Sequence, residues 1–201
     1  KKLYSLVACF DLCEQLGIYG LGGVDIDPVE VLDIYFQGAE LTAFYDRREY
    51  IPGSSLINVA ASHLIRKGLG RERGAGTLAG MIVLEIGAGI SPHDGKIRCA
   101  LAAVYGALCV PGSIYDQIER MEVKNIQYET LACQFAIPCY ALFNPTLLGG
   151  LCSRTLRFHR GHFSNAGDTF ALAFKHGTYI QALDFANFRE RLACSFTKMS
   201  A

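Results

Sequence analysis

The glycine-rich segment Asn58–Ile97, NVAASHLIRKGLGRERGAGTLAGMIVLEIGAGISPHDGKI, constrains the fold more than any other part of this chain. Across Val59–Leu69 the apolar residues recur near helical spacing and two glycines follow, which predicts a helix that ends there. Met81–Ile86 is a short apolar run rich in β-branched residues, typical of a strand. Asp94-Gly95 then supplies the positive φ values of a two-residue hairpin turn, so a returning strand is expected.

Other segments predict a mixture of helices and strands. Leu3–Leu16 is interpreted as a strand followed by a helix, although one buried helix fits the same pattern. Helices are predicted over Ser113–Met121 and Tyr179–Leu192. Arg157–Phe174 is interpreted as two strands around the polar loop SNAGD. The sequence shows no internal repeat.

Composition limits the classes of function. The 201 residues suit one domain, and 19 basic against 19 acidic residues give no net charge to attract nucleic acid or anionic lipid. No apolar run approaches the roughly 18 residues that would span a membrane. The eight cysteines lie mostly in apolar runs and no secretory signal is recognisable, which favours an intracellular reducing compartment, either cytoplasm or organelle matrix. Because the sequence starts at Lys-Lys and not at a methionine, an N-terminal segment could have been removed.

Two acidic residues precede a predicted helix that begins near Pro28. In an extended segment Asp25 and Asp27 point to the same side, an arrangement that suits a divalent cation. Alternatively, Asp27 caps the helix and Asp25 is solvated.

Basic and imidazole side chains supply further candidates. Arg66, Lys67, Arg71 and Arg73 form the densest basic cluster and could hold a phosphorylated ligand, although such charge is also common on plain surfaces. His159 and His162 lie near the predicted strand bend, where they could act in chemistry or be merely half-buried.

Several segments together resemble the phosphopantetheinyl transferase family of the holo-acyl-carrier-protein synthase type. They are GLGGVDIDPVEVL, LTAFYDRREY, VAASHLIRKGLG, RGAGTLAGMIVLEI and SPHDGKIRCAL, in that order. The resemblance implies an α+β fold in which an antiparallel sheet carries a long packed helix. It implies a single domain over residues 1–201, with an insertion at about 109–156.

The resemblance also implies a site. Asp25 matches the family's metal-binding Asp, and Lys67, Arg71 and His162 are the expected coenzyme A-binding residues, with coenzyme A and Mg²⁺ as cofactors if the site is retained. The family's Lys-Glu pair falls on Ser62-His63, which cannot replace an ammonium and a carboxylate around Mg²⁺ and phosphate. No catalytic residue is therefore assigned, and a non-catalytic pseudoenzyme is predicted. It would be a structural or assembly component of a larger protein complex, with an acyl carrier protein or coenzyme A as ligand.

An alternative rests on VLEIGAG at residues 83–89, which resembles the first motif of S-adenosylmethionine-dependent methyltransferases. In that motif a strand enters a glycine loop that approaches the cofactor. The following SPHDG instead has the composition of a turn. A third interpretation is that the glycines simply permit close packing or a bulge.

Overall fold

The computed structural model describes residues 2–16, 26–39, 53–68, 73–124, 126–131 and 144–195. Nine helices of ten or more residues occur in these segments, and a short helical turn covers 126–131. The helices are α1 (Lys2–Gln15), α2 (Pro28–Ala39), α3 (Ser54–Gly68), α4 (Arg73–Ile90), α5 (Gly95–Ala107), α6 (Pro111–Arg120), α7 (Pro145–Ser164), α8 (Ala166–Lys175) and α9 (Tyr179–Ala193). The described segments contain no strand, so the predicted α+β fold is wrong and the described chain is helical.

The chain divides into two compact units, Lys1–Glu122 and Val123–Ala201. The boundary lies within residues 109–156, where the sequence predicted an insertion into one domain. That single-domain organisation stays a prediction.

Helix α3 is the centre of the first unit. It contacts α1, α2, α4 and α5, and its residues Leu56, Ile57, Val59 and Ala60 are almost completely buried. Gly53 precedes it with φ +103°, a value that an L side chain rarely adopts, so glycine suits the turn that starts the helix. The helix predicted over Val59–Leu69 is confirmed, although it begins five residues earlier.

Helix α4 replaces the strand predicted over Met81–Ile86. Three of its five glycines pack against α3 in antiparallel order: Gly76 opposes Gly68, Gly80 opposes Ile65, and Gly87 opposes Ile57. A Cβ added at Gly76 would lie 2.4 Å from the Gly68 Cα atom. Glycine weakens an isolated helix by roughly 1 kcal/mol per residue, but here it lets the two backbones approach closely. The strand prediction failed because its β-branched run occupies helix faces beside this seam.

The hairpin predicted at Asp94-Gly95 is instead the start of α5. The Asp94 carboxylate accepts hydrogen bonds from the backbone N–H groups of Lys96 at 2.8 Å and Ile97 at 3.4 Å. Asp is favoured both in tight turns and at helix N-caps, so composition alone did not separate the two structures. The Ser54 hydroxyl also donates to Asp94, which ties the starts of α3 and α5 together.

Buried Arg98 joins three helices of the first unit. Its guanidinium donates to the Gln117 side chain of α6 at 2.8 Å and to the carbonyl oxygens of Ala88 and Pro92 at 3.3 and 3.1 Å. Those carbonyls lie in and just after the last turn of α4, where the helix offers them no N–H partner. The charge is thereby buried with its donors satisfied.

Of the remaining helices and strands predicted from the sequence, the helices are confirmed and the strands are wrong. Helices over Ser113–Met121 and Tyr179–Leu192 are confirmed by α6 and α9, and Pro28 begins α2 with the Asp27 carboxylate accepting from the Val29 N–H at 3.0 Å. The strand in Leu3–Leu16 is wrong, because α1 covers Lys2–Gln15. The two strands in Arg157–Phe174 are wrong as well, because α7 and α8 occupy that segment.

In the second unit, Asn144 caps α7 by accepting from the Leu147 N–H at 3.1 Å. Gly177, with φ +69°, lies in the turn between α8 and α9, which contact each other. Over the described residues, none of the helices is both long and apolar enough to cross a membrane.

Candidate functional site

Helix α4 exposes an apolar ridge that begins opposite the seam with α3 and winds around the helix towards it. Leu78, Ile82, Ile86 and Ile90 recur every four residues and are 48%, 54%, 49% and 36% exposed. We call these four side chains the α4 ridge. At 1.5 Å per residue the ridge is about 18 Å long. Contiguous exposed apolar surface of this kind marks interaction sites on proteins.

A polar pair borders the α4 ridge. The Tyr105 hydroxyl of α5 donates a hydrogen bond to the exposed Glu85 carboxylate. Burial, together with that hydrogen bond and the Glu85 charge, raises the pKa of Tyr105 to about 12. Tyr105 therefore holds Glu85 beside the ridge, where the carboxylate adds a negative edge.

The predicted transferase site is only partly described. Lys67 is exposed in the last turn of α3, whereas Asp25 and Arg71 lie outside the described residues. Ser62 donates to the Val59 carbonyl at 2.9 Å, and His63 is 4% exposed in the core around α3. Among the described residues no group of three or more His, Cys, Asp or Glu side chains could hold a metal ion. The Mg²⁺ and coenzyme A assignments stay predictions.

His162, the remaining predicted binding residue, lines an open cavity of about 650 Å³ in the second unit. One face of α7 and its C-cap residue contribute six residues to the lining: Arg154, Arg157, Phe158, Gly161, His162 and Asn165. The other lining residues are Val123, Lys124, Tyr128, Thr169 and Phe185. We call this space the basic–aromatic cavity, because it combines three cationic side chains with three aromatic rings. Its size is typical of small-molecule sites.

Tyr128 orients the Arg154 side chain at the cavity wall. The Arg154 Nη1 donates to the Tyr128 hydroxyl at 2.8 Å, and the guanidinium carbon lies 5.9 Å from the centre of the same ring. The second value is at the outer limit of a cation–π contact. The hydrogen bond is therefore the stronger of these two contacts.

His162 is surrounded by aromatic rings. The ring centres of Phe185 and Phe188 lie 5.0 and 5.2 Å from the imidazole. Burial lowers the pKa of His162, and the neighbouring Arg189 and His159 lower it further. Its Nε2 is buried and has no hydrogen-bond partner among the described residues. Burial among these rings thus favours the neutral imidazole.

His159, Glu129 and Ser195 form a second polar group. The His159 Nε2 lies 2.9 Å from a Glu129 carboxylate oxygen, and the Ser195 hydroxyl donates to the other oxygen. The carboxylate stands between the histidine and the serine, so the imidazole is not placed to take the serine proton. The group therefore joins segments of the second unit and does not form an activated nucleophile.

Sequence reasoning named His162 but missed the arginines beside it. The missed signal is the helical spacing of Arg154, Arg157, Phe158 and His162, with separations of three and four residues. In a strand Arg157 and Phe158 would point to opposite sides, and Arg154 lies outside the segment interpreted as strands. The helical interpretation places them on one side.

Helices packed through close backbone contacts place the described part of the chain in the class of all-helical proteins. Comparison with known proteins narrows this class. A family model described as N-acetyltransferase B complex (NatB) non catalytic subunit matches residues 29–201. This chain belongs to that family.

Relatives agree with the family. The chain is 27% identical over 180 residues to the N-terminal acetyltransferase B complex auxiliary subunit NAA25 of Arabidopsis thaliana, covering 87% of this chain and 17% of the relative. It is 24% identical over 124 residues to N-alpha-acetyltransferase 25, NatB auxiliary subunit, of Rattus norvegicus, covering 61% and 13%. The human protein of that name is 23% identical over 112 residues, covering 56% and 12%. The chain therefore spans less than a fifth of the length of these relatives.

These findings correct the sequence-based function. The resemblance to phosphopantetheinyl transferases is wrong, and so are the degenerate transferase, acyl-carrier-protein binding and the methyltransferase alternative. The methyltransferase motif needs a strand leading into a glycine loop, but residues 83–89 lie within α4 and Gly87 contacts Ile57 of α3. Gly87 instead permits close packing of the two helices, which is the third interpretation of these glycines.

Proposed function

We propose that this chain is a contact-forming segment of a non-catalytic subunit in an N-acetyltransferase B complex, and that the α4 ridge docks the catalytic subunit. The ridge is the observation that carries the proposal. The family and the relatives support membership of such a complex, since they are described as non-catalytic or auxiliary subunits. A subunit of that kind acts through surfaces that bind other proteins.

The geometry of the α4 ridge favours a helix as its occupant. Side chains spaced four residues apart form the inclined rows that fit the grooves of another helix. The occupant we propose is the apolar face of an amphipathic helix of the catalytic subunit. Because Glu85 borders the ridge, we expect a Lys or Arg at the facing edge of that helix.

The expected contribution of the ridge is substantial. Fully burying an aliphatic side chain contributes about 1.5–3 kcal/mol. Covering the exposed half of four such side chains would contribute roughly 3–6 kcal/mol before the costs of association are subtracted. One charge placed in the middle of the ridge should therefore weaken docking measurably.

A binding measurement with the purified catalytic subunit tests the proposal. Ile82→Asp should raise the Kd about 10- to 100-fold, because a carboxylate would be buried against apolar surface. The matched control is Val29→Asp, since Val29 is 61% exposed on α2 and lies off the ridge. The control should leave the Kd unchanged.

Two results would contradict the proposal. Equal affinity of both variants and the unchanged chain would show that the ridge is not the docking surface. Self-association of the chain that Ile82→Asp abolishes, without an effect on the catalytic subunit, would assign the ridge to a second copy.

The cysteines bear on the compartment in which the proposed complex works. All six cysteines that the structure describes are free thiols, which supports the intracellular reducing compartment expected from the sequence. We propose that the complex works there.

A further inference from the structure

We propose that His162 is an acid-sensitive switch of the second unit, and that protonation of its imidazole loosens the packing of α9 on α7. This goes beyond the proposed docking function, because it concerns the second unit and needs no partner. Three observations carry it: the aromatic rings around the imidazole, its buried ring nitrogen, and the cations that face it.

Aromatic side chains around His162 join α9 to α7. The ring centres of Phe185 and Phe188, both on α9, lie 5.0 and 5.2 Å from the imidazole centre. On α7 itself, the ring centres of Phe158 and Phe163 lie 6.2 and 5.9 Å from it. The imidazole therefore lies between rings of both helices, and a charge placed on it acts directly on their contact.

The buried nitrogen of His162 opposes protonation. Its Nε2 atom has almost no exposed surface and no hydrogen-bond partner among the described residues. A neutral imidazole carries a proton on only one nitrogen, so Nε2 can remain unprotonated, whereas the cationic ring carries N–H groups on both. The cation would then bury an N–H group without an acceptor, which is more costly for a charged group than for a neutral one. Folding therefore favours the neutral ring.

Charged groups around His162 also oppose a positive charge on its ring. Burial lowers the pKa of His162 most, and Arg189 of α9 and His159 of α7 lower it further. The Glu129 carboxylate, in the 126–131 turn, lies 2.9 Å from the His159 Nε2 and accepts from the Ser195 hydroxyl. That carboxylate is thus engaged by His159 and Ser195.

The wall of the basic–aromatic cavity beside His162 adds no carboxylate among the described residues. Helix α8 contributes Thr169 to this wall, and its side chain is uncharged. The charged side chains of the wall are all cationic: Lys124, Arg154 and Arg157. A protonated His162 would therefore add one more positive charge to a cationic wall.

The direction of the pKa shift of His162 sets the pH window. The folded chain lowers this pKa below its ordinary value of 6.5. The contribution of His162 to stability is therefore complete above that value and is lost as the pH falls through it towards the folded pKa. Acid thus weakens the contact between α7 and α9, and the rings of Phe185 and Phe188 become exposed.

Nuclear magnetic resonance titration of the 201-residue chain measures the pKa of His162 directly. The ring signal of His162 is assigned by its loss in His162→Phe. We expect a folded-state pKa below the ordinary value of 6.5. A measured pKa at or above that value would show that the surrounding rings stabilise the cation, as cation–π contacts can, and would overturn the proposal.

Thermal unfolding followed by circular dichroism, at about pH 7.5 and about pH 5.5, tests the consequence for stability. The unchanged chain should have a lower thermal midpoint at the lower pH. His162→Phe and His162→Gln replace the titrating ring with an apolar and a polar side chain, so both should lose less. His176→Gln is the matched control, because His176 is exposed in the same unit, and it should lose as much as the unchanged chain. Equal losses in the His162 variants and the unchanged chain would overturn the proposal.

Hydrogen exchange locates the change. After correction for the pH dependence of the intrinsic exchange rate, protection of the α9 amides should fall at the lower pH in the unchanged chain. In His162→Phe that protection should be retained. Loss of protection that is confined to the first unit, or that persists in α9 of His162→Phe, would assign the acid sensitivity to another group and overturn the proposal.

Discussion

Substitution of Gly76 by alanine provides a sharp test of the packing between α3 and α4. The added Cβ would lie 2.4 Å from the Gly68 Cα atom and 2.6 Å from the Leu64 carbonyl oxygen. Both neighbours belong to the backbone of α3, so neither can rotate away as a side chain could. The two helices must therefore move apart along the seam.

The expected magnitude combines two opposing terms. Overpacking of this kind typically costs about 1–3 kcal/mol, and a rigid backbone neighbour favours the upper part of that range. Alanine improves helix propensity by up to about 1 kcal/mol over glycine. We therefore expect Gly76→Ala to lower the free energy of unfolding by about 2 kcal/mol.

Two other glycines of α4 complete the series. At Gly80 the nearest atom is Cγ1 of Ile65 at 2.6 Å, a side chain that can adjust, so alanine there should cost less. At Gly89 a Cβ meets nothing within 4 Å. Gly89→Ala should therefore be neutral or stabilising by up to about 1 kcal/mol.

Urea unfolding followed by circular dichroism measures these differences. With m near 2 kcal/mol/M, Gly76→Ala should lower the transition midpoint by about 1 M. The order of stability should be Gly89→Ala, Gly80→Ala and Gly76→Ala, from highest to lowest. If Gly76→Ala were as stable as Gly89→Ala, the close approach of α3 and α4 would be refuted.

Two further predictions concern polar contacts of the first unit. Asp94→Ala removes the N-cap of α5 and the acceptor of the Ser54 hydroxyl, so the free energy of unfolding should fall by about 1–2 kcal/mol. Asp94→Asn should lower it less, because Asn is also a good N-cap. Equal thermal midpoints for the Ala and Asn variants would contradict the cap. Tyr105 has its folded pKa raised to about 12 by burial and by Glu85, so its contribution to stability is present below pH 10 and lost as the pH rises towards 12. Tyr105→Phe should remove that alkaline loss, and unfolding measured at about pH 9 and about pH 11 checks it; an unchanged pH dependence would contradict the shift.

Local sequence signals predicted those helix boundaries that depend on neighbouring residues. Pro28 with Asp27 marks the start of α2, and the glycines after Val59–Leu69 mark the end of α3. The helical period of Tyr179–Leu192 was sufficient for α9. Each of these signals acts within one or two turns, so no tertiary information was needed.

The α4 segment shows where local signals fail. Its glycines and β-branched residues disfavour an isolated helix, and Asp94-Gly95 fits a hairpin as well as a helix start. The partner helix α3 explains Gly76, Gly80 and Gly87, which lie where the two helices approach closely. The arginines of the cavity were missed because Arg154 lies outside the segment interpreted as strands and because a strand would place Arg157 and Phe158 on opposite sides.

The sequence by itself determined the absence of net charge, the start of α2 at Pro28 and the end of α3 at its glycines. Tertiary structure decided that residues 73–90 are a helix, that Leu78, Ile82, Ile86 and Ile90 remain exposed, and that His162 shares a cavity with two arginines. The physical reason is distance along the chain. Caps are satisfied by atoms two or three residues away, whereas the value of a glycine in a helix depends on a second helix whose position only the folded chain sets.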